Sequence, residues 1–407
     1  MVKQELKQGY KQTEVGIIPQ DWEVAYMINY ATLKARIGWQ ALTTKEYLDI
    51  GEYYLVTGTD FIGGRVNWTT CHFVDKWRYC QDKNIQLKES DVLVTKDGTI
   101  GKVGYVKNLP GLATLNSGVF VIRISKKEFN PLFLYYILTS EVFDDFLAKI
   151  TAGSTITHLY QKDFTSFKLP RPGIKEQTAI AQILSDTDLL IEHLNELIIK
   201  KKNVKQGTMQ QLLSPKDTWE KKKLTEVVNY IHGKAHEKKI VENGKYVVVN
   251  SKFISTEGSV IKFSNMNYCP TKKGDILTVL SDLPNGKALA KCYLVDANDK
   301  YTVNQRICIW RTKEADPRFL FYLLNRNKYF LGFDDGVSQT HILNNHIQKC
   351  EILIPTSKIE QENIGKILSD MDIEIKELKQ KKDKYIMLKK GMMQELLTGR
   401  IRINVTN

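Results

Sequence analysis

Two stretches of the chain carry apolar residues at alternating spacings of three and four. In the first, Ile180, Ile183/Leu184, Thr187, Leu190/Ile191, Leu194, Leu197/Ile198 and Val204 fall on one stripe. In the second, Ile364, Ile367/Leu368, Met371, Ile375, Leu378, Tyr385, Leu388 and Met392 repeat the template. This period predicts two long helices, each with the narrow seam of a coiled coil rather than a broad globular face. Forty such residues would span roughly 60 Å at about 1.5 Å each. Alone, either helix would leave its stripe in water, so the two are expected to pack together. Elsewhere the pattern changes. DVLVT, GVFVIRI, DILTVL and RICIWR are short, rich in β-branched residues and bounded by Gly, Pro and Asn, which predicts strands. Pro131 to Leu138 and Pro317 to Leu324 share the pattern P-x-F-L-x-Y-x-L, which predicts short helices opened by proline.

The long stretches are copies of one another. ILSD at Ile183 to Asp186 returns at Ile367 to Asp370, and an offset of 184 aligns Glu176-Gln177 with Glu360-Gln361. The same offset pairs Lys205, Gly207, Met209, Gln210, Leu212 and Leu213 with Lys389, Gly391, Met393, Gln394, Leu396 and Leu397. Upstream the match continues with small length changes. Asp91 pairs with Asp275, Gly101-Lys102 with Gly286-Lys287, and Thr114 to Arg123 with Thr302 to Arg311. His158 pairs with His341 and Trp22 with Trp219. The expected order is lobe (1–173), helix (174–214), lobe (215–356), helix and tail (357–407).

Charge sets the expected direction of helix packing. Asp186, Asp188, Glu192 and Glu196 precede Lys200 to Lys202 and Lys205, and the second helix repeats this acid-first order. Each arrangement suits its own helix dipole. Antiparallel pairing lays acidic halves on basic halves, whereas parallel pairing would oppose like charges. The predicted fold is therefore α+β: two pseudo-symmetric α/β lobes, each with a curved sheet or partial barrel, at the ends of two long antiparallel coiled-coil helices.

Composition narrows the function classes. The 407 residues include 59 basic and 46 acidic side chains, a net charge of +13. Residues 215–356 alone hold 22 basic against 15 acidic. Such a surplus suits a polyanionic partner. The N-terminus has no apolar core, PLFLYYIL is too short to span a bilayer, and six scattered cysteines form no C-x-x-C pair. A cytoplasmic protein without membrane contact is expected. TKDGTIGKVGYV lacks the spacing of a phosphate-binding loop, with Val103 where Ser or Thr belongs. Asp217, Glu220 and Lys222 have nuclease-like spacing, but on an apparent linker. No Pro-Pro occurs, which excludes the Asn/Asp-Pro-Pro-aromatic motif of adenine methyltransferases. No catalytic site and no metal site is expected.

Several motifs together resemble one family. TEVGIIPQDWEV, the helix entries PGIKEQ and PTSKIEQ, ILSDTD and ILSDMD, and the endings KQGTMQQLL and KKGMMQELLTGRIR resemble the specificity subunit of type I restriction–modification enzymes. The resemblance covers essentially the whole chain. It departs in lacking a double proline at the second helix entry and in the spacing around Trp22. It implies two target-recognition domains, each reading half of a split, asymmetric double-stranded DNA site, with the helices fixing the gap. It also implies two modification subunits docked on the helices and restriction/translocase subunits beyond them. S-adenosylmethionine, ATP and Mg would reside on those partners, with no cofactor in this chain. The competing reading is a non-catalytic two-lobed coiled-coil adaptor that binds proteins rather than DNA.

Loop residues able to meet phosphates or base edges are the DNA-binding candidates. In the first lobe these are Lys34, Arg36, Lys96, Thr99, Lys102, Ser154, Thr155, His158 and Lys162. In the second they are Lys234, His236, Ser281, Lys287, Gln339, His341, Asn344 and Asn345. Amide side chains suit adenine edges. Lys102→Ala is therefore expected to weaken binding to all sequences alike, and Gln339→Ala to relax choice at one base pair. Equal losses on cognate and scrambled duplex for both variants, measured by titration, would contradict that division.

Overall fold

The β-branched runs become central strands because each is covered on both faces. The computed structural model describes residues 8–151, 158–236, 239–283 and 288–403. In the first lobe Val92–Thr95 lies between Val119–Ile124 and Val103–Tyr105, antiparallel to both. These belong to a six-stranded sheet that begins with Ala31–Ala35 and ends with Arg65–Val66 and Phe61–Ile62. Alternation sorts its side chains: Val92, Val94, Phe120 and Ile122 enter one core, while Leu93, Val119 and Val121 enter another. A strand buried on both sides reads as a continuous apolar run, although successive residues point to opposite faces. In the second lobe Ile276–Val279 lies between Ile307–Thr312 and Cys292–Leu294, with Val228–His232 on the far edge. Ile276, Cys308 and Trp310 take one core, and Leu277, Val279, Ile307 and Ile309 the other.

Each lobe adds a three-stranded sheet that includes a parallel pair, Tyr53–Val56 with Leu112–Leu115 and Tyr246–Val249 with Tyr301–Val303. In both lobes a buried carboxylate meets an arginine from the neighbouring strand. Asp91 accepts from Arg123 at 2.7 and 2.6 Å, and Asp275 from Arg311 at 2.8 and 2.7 Å. The short helices Pro131–Leu138 and Pro317–Leu324 start at proline, capped by the side chains of Asn130 and Asp316.

The seam-bearing stretches are continuous helices, α1 (Ile174–Leu212) and α2 (Lys358–Leu396). The chain divides into two compact units, residues 1–193 with 381–407 and residues 194–380. Each unit thus holds the early half of one long helix and the late half of the other. In the first unit Asp188 of α1 meets Lys389 of α2 at 2.6 Å. In the second, Asp372 of α2 meets Lys205 of α1 at 2.5 Å, and Glu374 meets Lys201 at 2.6 Å. Early acids therefore oppose late lysines, which is the antiparallel arrangement. A tyrosine from each short helix completes the tie: Tyr136 donates to Asp188 at 2.8 Å and Tyr322 to Asp372 at 2.7 Å. Burial first, and the neighbouring carboxylate second, push both phenols up, so they stay protonated donors.

The helix entries repeat as well. Gln177 donates to the Pro172 carbonyl and Gln361 to the Pro355 carbonyl, both at 2.8 Å. Trp22 donates to Glu176 at 3.1 Å and Trp219 to Glu360 at 3.4 Å. In the first unit the segment after α2 closes this corner. Arg402 donates to both Glu176 and Asp21, and Gly399 has φ +73, where a Cβ would lie 2.5 Å from Pro19. One expectation needs correction. Ile183, Leu197, Val204, Ile367 and Leu388, placed on the seams, are all exposed. An α-helix drifts by about 20° per heptad from a strict seven-residue stripe, and where two adjacent apolar residues share a seam position only one faces inward: Leu184, Ile198 and Leu368 are buried beside Ile183, Leu197 and Ile367.

Replacing Arg311 with Met leaves the Asp275 carboxylate buried without its cation. The expected loss is roughly 3–5 kcal/mol of unfolding free energy for the second unit, measured in denaturant. A loss under about 1 kcal/mol would show that the backbone donor on Asp275, the Lys272 amide, suffices.

Candidate nucleic-acid interface

In both lobes the central strand runs into a turn that a returning segment clasps. In the first lobe Asp97 and His158 form an antiparallel bridge, and the Leu159 amide donates to the Lys96 carbonyl at 2.8 Å. In the second, Ser281 and His341 pair in the same sense, and the Ile342 amide donates to the Leu280 carbonyl at 2.8 Å. The repeat aligns Asp97 with Ser281 and His158 with His341, so the backbone clasp and its histidine are common while the residue facing the histidine differs. The first turn needs glycine, since Gly98 and Gly101 have φ +69 and +80. Thr95 Oγ1 holds it by accepting from the Lys102 amide at 2.9 Å.

Around the first clasp the exposed His158 ring places Nδ1 2.7 Å from Asp97 Oδ1. Lys96 is half-buried, 4.0 Å from Asp97 Oδ2 and with its ammonium 5.8 Å from the Phe120 ring centre. Thr99 is exposed on the turn, Lys34 on the strand Ala31–Ala35, and Lys162 beside the Tyr160 ring. Around the second clasp His341 is exposed, and Gln339 donates to Ser281 Oγ at 3.0 Å. Asn344 meets His232 Nε2 at 2.7 Å, and Asn345 and Lys234 are exposed.

Other expected contacts are not available as drawn. Arg36 is 1% exposed: its guanidinium donates to the Leu115 carbonyl at 2.9 Å and to Thr114 and Gln81. His236 is also 1% exposed, with Nε2 2.8 Å from Thr302 Oγ1 and Nδ1 2.5 Å from the Lys234 carbonyl. Both hold strands together instead of facing a ligand. Ser281 is buried beneath Gln339, so of the two only the half-buried amide keeps contact with solvent. Lys102 sends its ammonium to the Gly58 carbonyl at 2.9 Å, which makes it a brace between two loops. Ser154, Thr155 and Lys287 lie outside the described residues.

Three exposed cations of the second lobe escaped the sequence reading: Lys252, Lys262 and Arg306. The signal available was divergence between copies, since the repeat sets Arg306 against Gly118 and Lys252 against Thr59. Chemistry has little to work with near either clasp. Burial pushes the Cys71 and Cys292 thiols up to about 12, which removes thiolate character. Among the described residues no group of His, Cys, Asp and Glu is arranged to hold a metal ion, and no helix is long and apolar enough to cross a membrane.

Two mixed α/β lobes built on one repeated plan, each presenting a polar clasp, define an internally duplicated recognition protein. The chain belongs to the type I restriction–modification DNA specificity domain family, whose model matches it twice, over residues 40–201 and 216–386. It is thus a DNA specificity subunit, a non-catalytic member of such systems. It is 27% identical to the type I restriction enzyme MjaVIII specificity subunit of Methanocaldococcus jannaschii, over 98% of each chain. It is 25% identical to the EcoBI specificity subunit of Escherichia coli over 47% of this chain and 41% of that one. The fold is shared with the type I restriction–modification S subunit from M. genitalium at TM-score 0.61 and 17% identity, covering 95% and 97% of the two chains. A chain from a structure of type I R-M complex assembly and conformational transition matches at TM-score 0.51, 14% identity and 94% and 99% coverage.

The clasp geometry carries its own test. Lys102→Met removes the brace to Gly58 and is expected to lower affinity for cognate and scrambled duplex by the same factor, whereas His158→Ala is expected to change preference at one base pair. A sequence-selective effect of Lys102→Met in a competition titration would contradict the brace.

Proposed function

We propose that this chain reads a bipartite, asymmetric duplex DNA sequence, with residues 1–173 reading one half and 215–356 the other. The observation that carries this is the common backbone clasp with a histidine in each lobe, His158 and His341, beside a position that differs, Asp97 in one lobe against Ser281 under Gln339 in the other. A shared scaffold presents each reader to the duplex in the same way, and different side chains read different bases. Lys34, Lys96, Lys162 and Lys234 supply backbone contacts. Thr99, His158, Gln339, His341, Asn344 and Asn345 are the reading set.

In this reading α1 and α2 pair as an antiparallel coiled coil and fix the gap between the half-sites. Two modification subunits dock on the helices, and restriction subunits join through them. Apolar side chains left open on the helices support this: Ile183, Leu197, Ile367 and Met387 are all exposed. S-adenosylmethionine, ATP and Mg serve those partners, and the complex works in the cytoplasm. The adaptor alternative leaves the basic surplus and the unlike clasps without a role.

Co-expression with the cognate modification subunit should produce N6-methyladenine at one gapped, asymmetric motif, absent without this chain and read by sequencing host DNA. An assembled, competent complex that adds no methylation would instead support the adaptor reading.

A further inference from the structure

A cleft of about 590 Å³ opens in the second lobe, next to the clasp. Its walls come from the segment after Tyr246–Val249, from Lys262, from Asp282 on the clasp strand itself, and from Arg306 before the central strand Ile307–Thr312. Three cations line it, Lys252, Lys262 and Arg306, all exposed at their outer ends. Among the described residues none of the three has an acidic partner. The one carboxylate among the described wall residues, Asp282, accepts from backbone amides: those of Ala288 at 2.8 Å, Leu283 at 3.0 Å and Leu289 at 3.2 Å. Of the acids nearby, Glu257 faces Lys291 at 3.4 Å, and Glu242, set opposite Lys262 by the Val241–Phe263 bridge, is exposed. Ser251, also in the wall, has its Oγ out of solvent with no hydrogen-bond partner.

Cations without acidic partners around a concave wall, with a free hydroxyl among them, meet the requirements of a phosphate. Some lysines and arginines elsewhere in this chain have a carboxylate beside them, as Arg65 does with Glu192 and Lys216 with Glu360. Here none is supplied, and a hydroxyl donor waits unused. The first lobe handles the corresponding place differently. There the counterpart of Ser251 is Gly58, whose carbonyl takes the Lys102 ammonium. The counterparts of Lys252 and Arg306 are Thr59 and Gly118. The cleft is therefore a property of one lobe and not of the shared scaffold.

We propose that this cleft takes a phosphate of the DNA backbone, with Lys252, Lys262 and Arg306 as its cations and Ser251 as a donor. The assignment rests on the DNA-reading function proposed above and deepens it. A phosphate held beside the clasp fixes the register of the duplex against Gln339 and His341. Because the contact is to phosphate, it sets affinity and salt dependence without choosing a sequence. It also makes the two lobes unequal in grip, so that the half-site read by the second lobe contributes more of the ionic binding energy.

The test uses the full chain assembled with its modification subunits. Affinity for a cognate duplex and for a scrambled one is titrated across a salt series for wild type, Lys252→Ala, Lys262→Ala and Arg306→Ala. Each variant should lose affinity by the same factor on both duplexes. Each should also flatten the slope of log affinity against log salt by roughly one. Lys252→Arg should restore both, and circular dichroism should show unchanged folding. Unchanged slopes in the variants would overturn the cleft while leaving the DNA-reading function intact, and so would a change confined to one base pair. A wild-type complex whose duplex binding ignores salt would instead defeat the parent reading. Inorganic phosphate or ATP at matched ionic strength is the second arm. Thermal protection by either, lost in Arg306→Ala, would assign the cleft to a free phosphate ligand and overturn the duplex assignment.

Discussion

The tie that joins a tyrosine, an aspartate and a lysine from three separate elements is the constraint on which the rest depends. Tyr136 comes from a lobe, Asp188 from α1 and Lys389 from α2. Its counterpart joins Tyr322, Asp372 of α2 and Lys205 of α1. The helices exchange roles between the two ties, as the contacts of a symmetric dimer do, where one residue meets another and is met in turn. A carboxylate that is only partly hydrated needs both its cation and its hydroxyl donor, and neither is on its own helix. A shift of either helix along the other would strand the aspartate. Each lobe is thus fixed to a surface made by both helices.

That surface is the same for both lobes, and so are the elements that meet it. The proline-led short helix, the Trp-to-Glu contact and the Gln that ties the helix entry to a proline carbonyl recur with nearly equal distances. Conservation of fixings with divergence at the clasps is what a reader of two unlike half-sites requires. The exposed positions vary freely because they carry no packing duty. The buried ion pairs, Asp91 with Arg123 and Asp275 with Arg311, do not vary, since losing one partner would leave a charge inside the lobe.

Much of this was legible in the sequence because a repeat shows which spacings matter. The long helices, the proline-led helices and the central strands lay where their periods put them, and acid-first, base-last order gave the sense of helix pairing. Individual side chains were less legible. Arg36 and His236 looked like ligands in basic loops, yet both turn inward to carbonyls and hydroxyls of neighbouring strands, and only the tertiary fold creates those acceptors. Arg306 is far in sequence from Lys252 and Lys262 and joins them only where the fold closes a cleft. Val204 and Leu388 followed the stripe but not the contact, since a straight helix does not keep a seven-residue period.

Interchangeable fixings have a direct consequence. If each lobe reads its half-site alone, a chain carrying residues 215–356 in place of 1–173 should place the same reader at both positions. Sequencing the DNA of cells that express this chain with the modification subunit measures the outcome. The expected result is a symmetric gapped motif, with the second lobe's half-site repeated in inverted orientation and the gap unchanged. A motif that stays asymmetric, or methylation lost from an assembled complex, would contradict two autonomous readers on equivalent fixings.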